Sequence, residues 1–128
     1  MTPSSDVSTS VDGAAAYLSL GVGYRHNAMR AADWVALRDA ASALGADESV
    51  NVVVIRGAGG TFSAGSDIRE WAGADSADID ASFHLMEQAL SAVERIPIPT
   101  IALVEGVAAG AGCQLALSCD MCVMADSA

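Results

Sequence analysis

Lysine is absent from this sequence of 128 residues, and all six of its basic residues are arginine. The absence excludes every role that needs a primary ammonium group, such as Schiff-base formation, a lysine general base or the lysine of a P-loop. Sixteen Asp and Glu residues bring the formal net charge to −10, so the surface repels phosphates except beside a local arginine. The sequence also contains no run of 18 apolar residues. We therefore expect neither nucleic acid nor a membrane as a partner.

Cysteine is scarce as well, and the three thiols at Cys113, Cys119 and Cys122 are an odd number that cannot close a disulfide framework. Cys119 and Cys122 lie in an apolar run with no second pair and no nearby histidine, which favours buried reduced thiols over a metal or redox site. Residues 1–12 have neither the basic region nor the apolar region of a secretory signal. These features predict a cytoplasmic protein without a metal site, in which residues 1–13 form a disordered leader.

The remaining residues have the periodicities of alternating strands and helices. Hydrophobic residues make up 52% of the sequence, which is enough for one domain with a core. Strands are predicted over residues 14–20, 51–56, 100–104 and 120–125, and helices over residues 30–44, 79–95 and 110–117. Such alternation is typical of the α/β class.

Three local signals refine this prediction. Gly45 is suited to end the first helix, because glycine readily adopts the left-handed conformation found after a helix. Two glycines and Asn27 favour a turn with positive φ over residues 21–27. In the second helix, an apolar stripe recurs at three- and four-residue steps, and we assign it to the core rather than to a binding pocket. The stripe consists of Phe83, Met86, Leu90 and Val93.

Two Gly-rich segments, residues 62–69 and 107–114, each lead from an apolar stretch into a turn of small residues. Small residues let the backbone approach a ligand closely, and the first turn of a helix presents unpaired N–H groups. If the two turns faced each other, they would offer two N–H donors to one oxygen, as in an oxyanion hole. Tight packing turns without any ligand explain the same spacing, and the spacing alone does not decide between the two.

The sequence argues against two other kinds of site, of which a dinucleotide-dependent oxidoreductase stays the weaker third alternative. A dinucleotide fingerprint fails because Phe62 and Leu115 stand where its third glycine is needed. There is no G-x-S-x-G elbow, and His26 and His84 are isolated, so a Ser-His-Asp hydrolase is not expected.

Three stretches resemble the crotonase superfamily, which includes enoyl-CoA hydratases and isomerases. They are residues 25–29 (RHNAM), 60–70 (GTFSAGSDIRE) and 99–120 (PTIALVEGVAAGAGCQLALSCD), and they occur in the family's order and spacing. The resemblance implies that residues 14–128 are the N-terminal part of a crotonase-like domain, a spiral of ββα units that looks truncated. It also implies a homo-oligomer, either a trimer or a hexamer, where the full domain is present.

The resemblance further implies an acyl-CoA thioester as substrate, with coenzyme A as part of that substrate and no separate cofactor. The backbone N–H groups of Ser66 and Ala111 would hold the thioester oxygen. Arg25 would meet a CoA phosphate. The other substrate-binding positions implied are Ala64, Gly65, Asp67, Ile68, Arg69 and Gly110.

The chain departs from the family pattern at Gln114, which stands where hydratases of the family have their first catalytic carboxylate. A neutral amide can orient water but cannot take up a proton. The position of the second carboxylate would lie after Ala128. Two hypotheses follow: an acyl-CoA enzyme related to enoyl-CoA hydratase/isomerase, in which Ser66, Ala111 and Gln114 are catalytic, or an inactive chain that binds CoA weakly or only assembles with partners.

Overall fold

The computed structural model describes residues 4–128, and its strands and helices alternate as predicted for the α/β class. The strands are β1 Ser8–Asp12, β2 Ala15–Leu20, β3 Val52–Gly57, β4 Thr100–Val104 and β5 Met121–Met124; the helices are α1 Ala31–Ala46, α2 Ser76–Glu94 and α3 Ala111–Ser118. No helix among these residues is both long and apolar enough to cross a membrane.

The five strands form one sheet in the order β1-β2-β3-β4-β5. β1 is antiparallel to β2, and every other neighbouring pair is parallel. Leu18, Ile55 and Ala102 are aligned across β2, β3 and β4, so their side chains share one face of the sheet. All three are fully buried in one hydrophobic cluster that also contains residues of α1 and α2. Both helices therefore cover this face.

Gly45 does not end α1, contrary to the sequence prediction, because the helix continues to Ala46. A Cβ atom at Gly45 would lie 3.2 Å from Cδ of Pro97 and 3.7 Å from Cα of Ile96. The lack of a side chain at Gly45 thus allows α1 to pack closely against the segment that follows α2. Asp75 caps α2, since its side chain accepts a hydrogen bond from the amide of Asp78.

The expected disordered leader is wrong for residues 8–12, which form β1; residues 1–3 lie outside the described residues. Every side chain of β1 is exposed, so the strand is held by backbone pairing with β2 rather than by burial. Exposed strands lack the alternation of apolar and polar residues by which a strand is recognised in a sequence.

The cysteines also differ from the expectation of buried thiols. Cys113 and Cys122 are exposed, because one lies on the outer side of α3 and the other on β5, where all four side chains are exposed. Cys119 is partly buried, and burial raises the pKa of its thiol to about 11. At neutral pH this thiol stays protonated and is a poor nucleophile.

Asp33 connects the segment before β1 to the start of α1. Its carboxylate accepts hydrogen bonds from the amide of Asp6 at 2.9 Å, from the hydroxyl of Ser5 at 3.2 Å, and from the backbone amide and Nε of Arg30 at 2.9 and 3.1 Å. Burial by itself raises the pKa of Asp33, but the hydrogen bonds from Arg30 and Asp6 outweigh it and hold that pKa below its usual value.

Asp33→Asn is expected to lower the free energy of unfolding by about 2 kcal/mol at neutral pH, because charge-assisted hydrogen bonds are replaced by weaker ones. A depressed pKa stabilises the folded state above the usual Asp value, and this contribution is lost as the pH falls through the folded pKa. The difference between variant and wild type should therefore shrink below pH 3.8, the usual value. Urea denaturation of both proteins at neutral pH and below pH 3.8 measures this difference in the free energy of unfolding.

Asp39→Asn is the matched control, because Asp39 lies on the same helix but is exposed in its ion pair with Arg38. This control should change stability by less than about 0.5 kcal/mol. An equal loss for Asp33→Asn at both pH values would contradict the role assigned to the Asp33 charge.

Candidate active site

The two Gly-rich turns lie side by side and are joined by a short parallel bridge between Ser63 and Ala108. The amide of Ser63 donates to the carbonyl oxygen of Val107 at 2.9 Å, and the amide of Ala109 donates to the carbonyl oxygen of Ser63 at 3.1 Å. The first turn follows β3 and the second turn joins β4 to α3. The parallel pairing of β3 with β4 brings both turns to the same end of the sheet.

Glycine is required where the turns touch. A Cβ atom at Gly65 would lie 2.9 Å from the amide nitrogen of Ala111, and a Cβ atom at Gly112 would overlap the carbonyl oxygen of Ser63. The contact is therefore between backbone and backbone. It places Ser66, the residue after Gly65, next to the first turn of α3.

The amides of Ser66 and Ala111 are free to bind a ligand. Among residues 4–128, neither donates to a protein acceptor. The amides of Met29 and Asp67 form the hydrogen bonds on either side of Ser66, so the N–H of Ser66 points away from Met29. Ala111 is the first residue of α3, where backbone N–H groups have no partner within the helix.

Gly110, and not Ala111, has the unusual backbone conformation in the second turn. Its φ of 55° and ψ of −125° are accessible almost only to glycine. In the described part of the chain, positive φ among other residue types is confined to Arg25, His26 and Asn27. Ala111 is therefore unstrained, and an alanine side chain at this position is compatible with the turn.

Ser66 and Ala111 both line a cleft of about 350 Å³. The structure brings the three predicted catalytic residues together here, with three further predicted substrate-binding residues and three side chains that were not predicted. The lining residues are Ala64, Ser66, Ile68, Trp71, Phe83, Met86, Gly110, Ala111 and Gln114. A larger groove of about 680 Å³ lies between α1 and α2 and contains none of the predicted site residues.

The apolar stripe of α2 is only partly core, which corrects the sequence prediction. Met86 and Val93 are buried, but Phe83 is 43% exposed and lies in the wall of the cleft. Its ring is 5.3 Å from that of Trp71, with an angle of 37° between the planes. Sequence reasoning missed Phe83 and Met86 as site residues, because helical periodicity is the same for a core face and a cleft wall. It also missed Trp71, which precedes α2 and lies outside that stripe.

A second cavity, of about 180 Å³, lies beside three arginines. Arg25, Arg30 and Arg69 line it together with Tyr24, and the charge and hydrogen bond of Arg25, supplemented by Arg69, lower the pKa of the Tyr24 phenol. The structure thus brings Arg25 and Arg69 to the same cavity. Segment 66–69 connects this arginine cavity to the cleft, since Ser66 and Ile68 line the cleft and Arg69 lines the arginine cavity.

Asp67 has a structural role in this segment. Its carboxylate accepts hydrogen bonds from the amide of Arg69 at 3.1 Å and from Nε of Arg69 at 2.9 Å. It caps the short 3-10 helix Ile68–Trp71 and neutralises part of the arginine charge. The predicted binding residue is therefore engaged with its own chain, although it also lines the arginine cavity.

The side chain of Asn27 holds the start of the first Gly-rich turn by hydrogen bonds. It is buried, and its Oδ1 accepts from the amide of Gly23 at 2.7 Å. Its Nδ2 lies 3.0, 3.0 and 3.1 Å from the carbonyl oxygens of Ala58, Thr61 and Phe62.

Ser63 extends this network to the site. Its hydroxyl donates to the carbonyl oxygen of Asn27 at 3.0 Å and accepts from the amide of Gly65 at 3.1 Å. The hydrogen bond between Ser63 and Asn27 spans 36 residues of sequence and that between Asn27 and Thr61 spans 34, so no local signal revealed either of them.

Comparison with known proteins gives a consistent family. The family model described as enoyl-CoA hydratase/isomerase matches residues 13–128. A methylglutaconyl-CoA hydratase, mitochondrial, from Mus musculus is 34% identical over 112 residues, which cover 87% of this chain and 36% of the relative. Enoyl-CoA hydratase domain-containing protein 3, mitochondrial, from Rattus norvegicus is 34% identical over 80% of this chain and 34% of the relative.

Solved structures give the same result for the fold. An enoyl-CoA hydratase/carnithine racemase from Magnetospirillum magneticum superposes with a TM-score of 0.90 at 34% identity, over 98% of this chain and 48% of that chain. An enoyl-CoA hydratase from Bacillus anthracis gives a TM-score of 0.91 at 28% identity, over 96% and 48%. The chain thus spans about half of these structures and about a third of the curated relatives. It belongs to the enoyl-CoA hydratase/isomerase family and has the crotonase fold of that family's N-terminal half.

Proposed function

We propose that the chain binds an acyl-CoA thioester and that the amides of Ser66 and Ala111 donate to the thioester oxygen. The observation that carries this proposal is that two residues on adjoining turns, Ser66 and Ala111, line the same cleft and have unpaired amides. Negative charge that develops on the oxygen in an enolate-like transition state would be stabilised by both donors, at about 3 kcal/mol for each. The N-terminus of α3 adds the favourable end of a helix dipole.

The arginine cavity supports the CoA part of this proposal. The chain has a net charge of −10, so the phosphates of CoA would need a local positive charge, which the arginines of this cavity supply next to the cleft. Arg25 and Arg69 would hold these phosphates. Ile68, exposed by 69%, would lie against the intervening part of the CoA chain. Assembly into a trimer or hexamer and a cytoplasmic location stay predictions from the sequence.

A carbonyl-stretch measurement tests the oxyanion interaction directly. Crotonyl-CoA labelled with ¹³C at the thioester carbonyl is added to the protein, and the isotope-edited infrared difference spectrum is recorded. Two donors should polarise the carbonyl and move its band to lower frequency than in free crotonyl-CoA. A bound ligand with an unshifted band would contradict the proposal, because the oxygen would then be outside the reach of the amides.

Gln114 limits the chemistry that this site performs. It lies in the cleft with Ser66 and Ala111, but its side-chain amide cannot accept and return a proton. We propose that it orients water or the acyl group by hydrogen bonding. The second candidate function, thioester binding without turnover, rests on this same neutral side chain.

Gln114→Glu is expected to raise the rate of crotonyl-CoA hydration by about 100-fold, since a positioned general acid–base typically contributes at least that factor. Turnover of crotonyl-CoA and of a 3-enoyl-CoA is followed by absorbance for the wild type and the variant. Gln88→Glu is the matched control, because Gln88 is exposed on α2 and lies outside the cleft. Equal rates in wild type, variant and control would mean that residue 114 is not placed for proton transfer.

A further inference from the structure

The side chains that form the wall of the cleft include no charged group among the described residues. Of the nine residues that line the cleft, only Ser66 and Gln114 have polar side chains. The hydroxyl of Ser66 is directed to the sulfur of Met86, at 3.8 Å, and so belongs to this wall. What remains for the acyl group is a surface of aromatic, aliphatic and thioether groups.

Neighbouring charges do not reach this wall. Arg69 is paired with Asp67 and lines the arginine cavity instead. His84 follows Phe83 on α2 but is 82% exposed and pairs with Glu87, with 3.6 Å between Nδ1 and Oε2. An acyl group that carried its own carboxylate would therefore lose water here without gaining a cation, which is strongly unfavourable.

The rings of Trp71 and Phe83 give the wall a further preference. They are tilted by 37° at 5.3 Å, both are partly accessible, and Met86 lies beside them. Aromatic rings and thioether sulfurs favour another aromatic ring over a saturated group of equal size. We infer that the cleft selects thioesters whose acyl group is uncharged and carries an aromatic ring, and that Trp71 and Phe83 are the specificity-determining residues. This inference rests on the proposed function, because it assumes that the acyl group lies beside the two amides.

Titration calorimetry with a matched series of thioesters tests the inference. Cinnamoyl-CoA has the aromatic ring, 3-cyclohexylacryloyl-CoA has a saturated ring of similar size, and 4-carboxycinnamoyl-CoA adds a carboxylate. Cinnamoyl-CoA should bind about three- to tenfold more tightly than the cyclohexyl compound. Cinnamoyl-CoA should also bind at least about tenfold more tightly than 4-carboxycinnamoyl-CoA.

Substitutions at Phe83 separate the two preferences. Phe83→Leu should remove most of the preference for the aromatic ring. Phe83→Arg should reverse the discrimination against 4-carboxycinnamoyl-CoA, because it supplies the missing cation. The control His84→Arg adds a similar charge one residue further along α2, away from the cleft, and should leave the order of affinities unchanged. Far-UV circular dichroism verifies that each variant is folded.

The outcomes distinguish this inference from the proposed function. If neither crotonyl-CoA nor cinnamoyl-CoA binds more tightly than free CoA, the acyl group makes no contact and both are wrong. If the thioesters bind more tightly than CoA but the three ring compounds do so equally, only the inference is wrong. The inference would also be wrong if Phe83→Arg and His84→Arg both reversed the discrimination against 4-carboxycinnamoyl-CoA, because the effect would then be one of overall charge.

Discussion

Gly112→Ala should lower the free energy of unfolding by more than about 3 kcal/mol and abolish thioester binding. The added methyl group would overlap the carbonyl oxygen of Ser63 and lie 2.8 Å from its carbonyl carbon. Both atoms belong to the backbone of the first Gly-rich turn, so no rotamer change relieves the overlap. The cost therefore exceeds the usual 1–3 kcal/mol of overpacking. The two turns have to separate, and the amides of Ser66 and Ala111 separate with them.

The measurements are urea denaturation and calorimetric titration with crotonyl-CoA. Cys113→Ala, at the next position of the same helix, is the control, because Cys113 is exposed and alanine favours helices. The control should keep both stability and binding. If Gly112→Ala were as stable as the control, the contact between the two turns would be looser than the structure shows.

Asn27→Asp is expected to be nearly as damaging, with a loss of about 3–5 kcal/mol at neutral pH. The substitution keeps the shape of the side chain but replaces its donor group by an oxygen, which faces the carbonyl oxygens of Ala58, Thr61 and Phe62. The loss of a buried NH2 donor shared among three carbonyl oxygens, together with an uncompensated charge, accounts for a loss of this size.

The pH dependence gives this prediction a second readout. Burial among carbonyl oxygens should raise the pKa of the introduced carboxyl above its unfolded value. A raised pKa favours the folded state at low pH, so the loss should become smaller as the pH falls and larger as it rises. Asn51→Asp introduces the same charge at an exposed position and should have little effect at any pH. A loss that does not change with pH would argue against a buried carboxylate at residue 27.

Elements with a buried face were predictable from the sequence because burial leaves a pattern. The β-branched residues of β3 and the apolar repeat of α1 gave the correct element types, and the observed bounds differ by one or two residues. β1 was missed because it is exposed along its whole length and is held by backbone hydrogen bonds alone. Residue type carries almost no information about such a strand.

The candidate site was predictable to the extent that it depends on backbone geometry. The glycines of the two turns indicated a close approach, and the structure places Gly65 and Gly112 at the contact. The wall of the cleft was not predictable, because Trp71 and Phe83 meet only once α2 has packed. The role of Asn27 was hidden for a similar reason, since the carbonyl oxygens that its Nδ2 contacts lie 31 to 35 residues away along the chain.

The unpaired amides also determine how this site can evolve. A main-chain N–H survives replacement of its own side chain, so Ser66 can change to another small residue without loss of the donor. Gly65 and Gly112 cannot be replaced by a residue with a side chain, although neither contributes an N–H group to the pair of donors. In a saturation-mutagenesis map, positions 66 and 111 would therefore tolerate many substitutions, whereas the neighbouring glycines Gly65 and Gly112 would tolerate none. A search for this site by the identity of residues 66 and 111 would overlook relatives that have it.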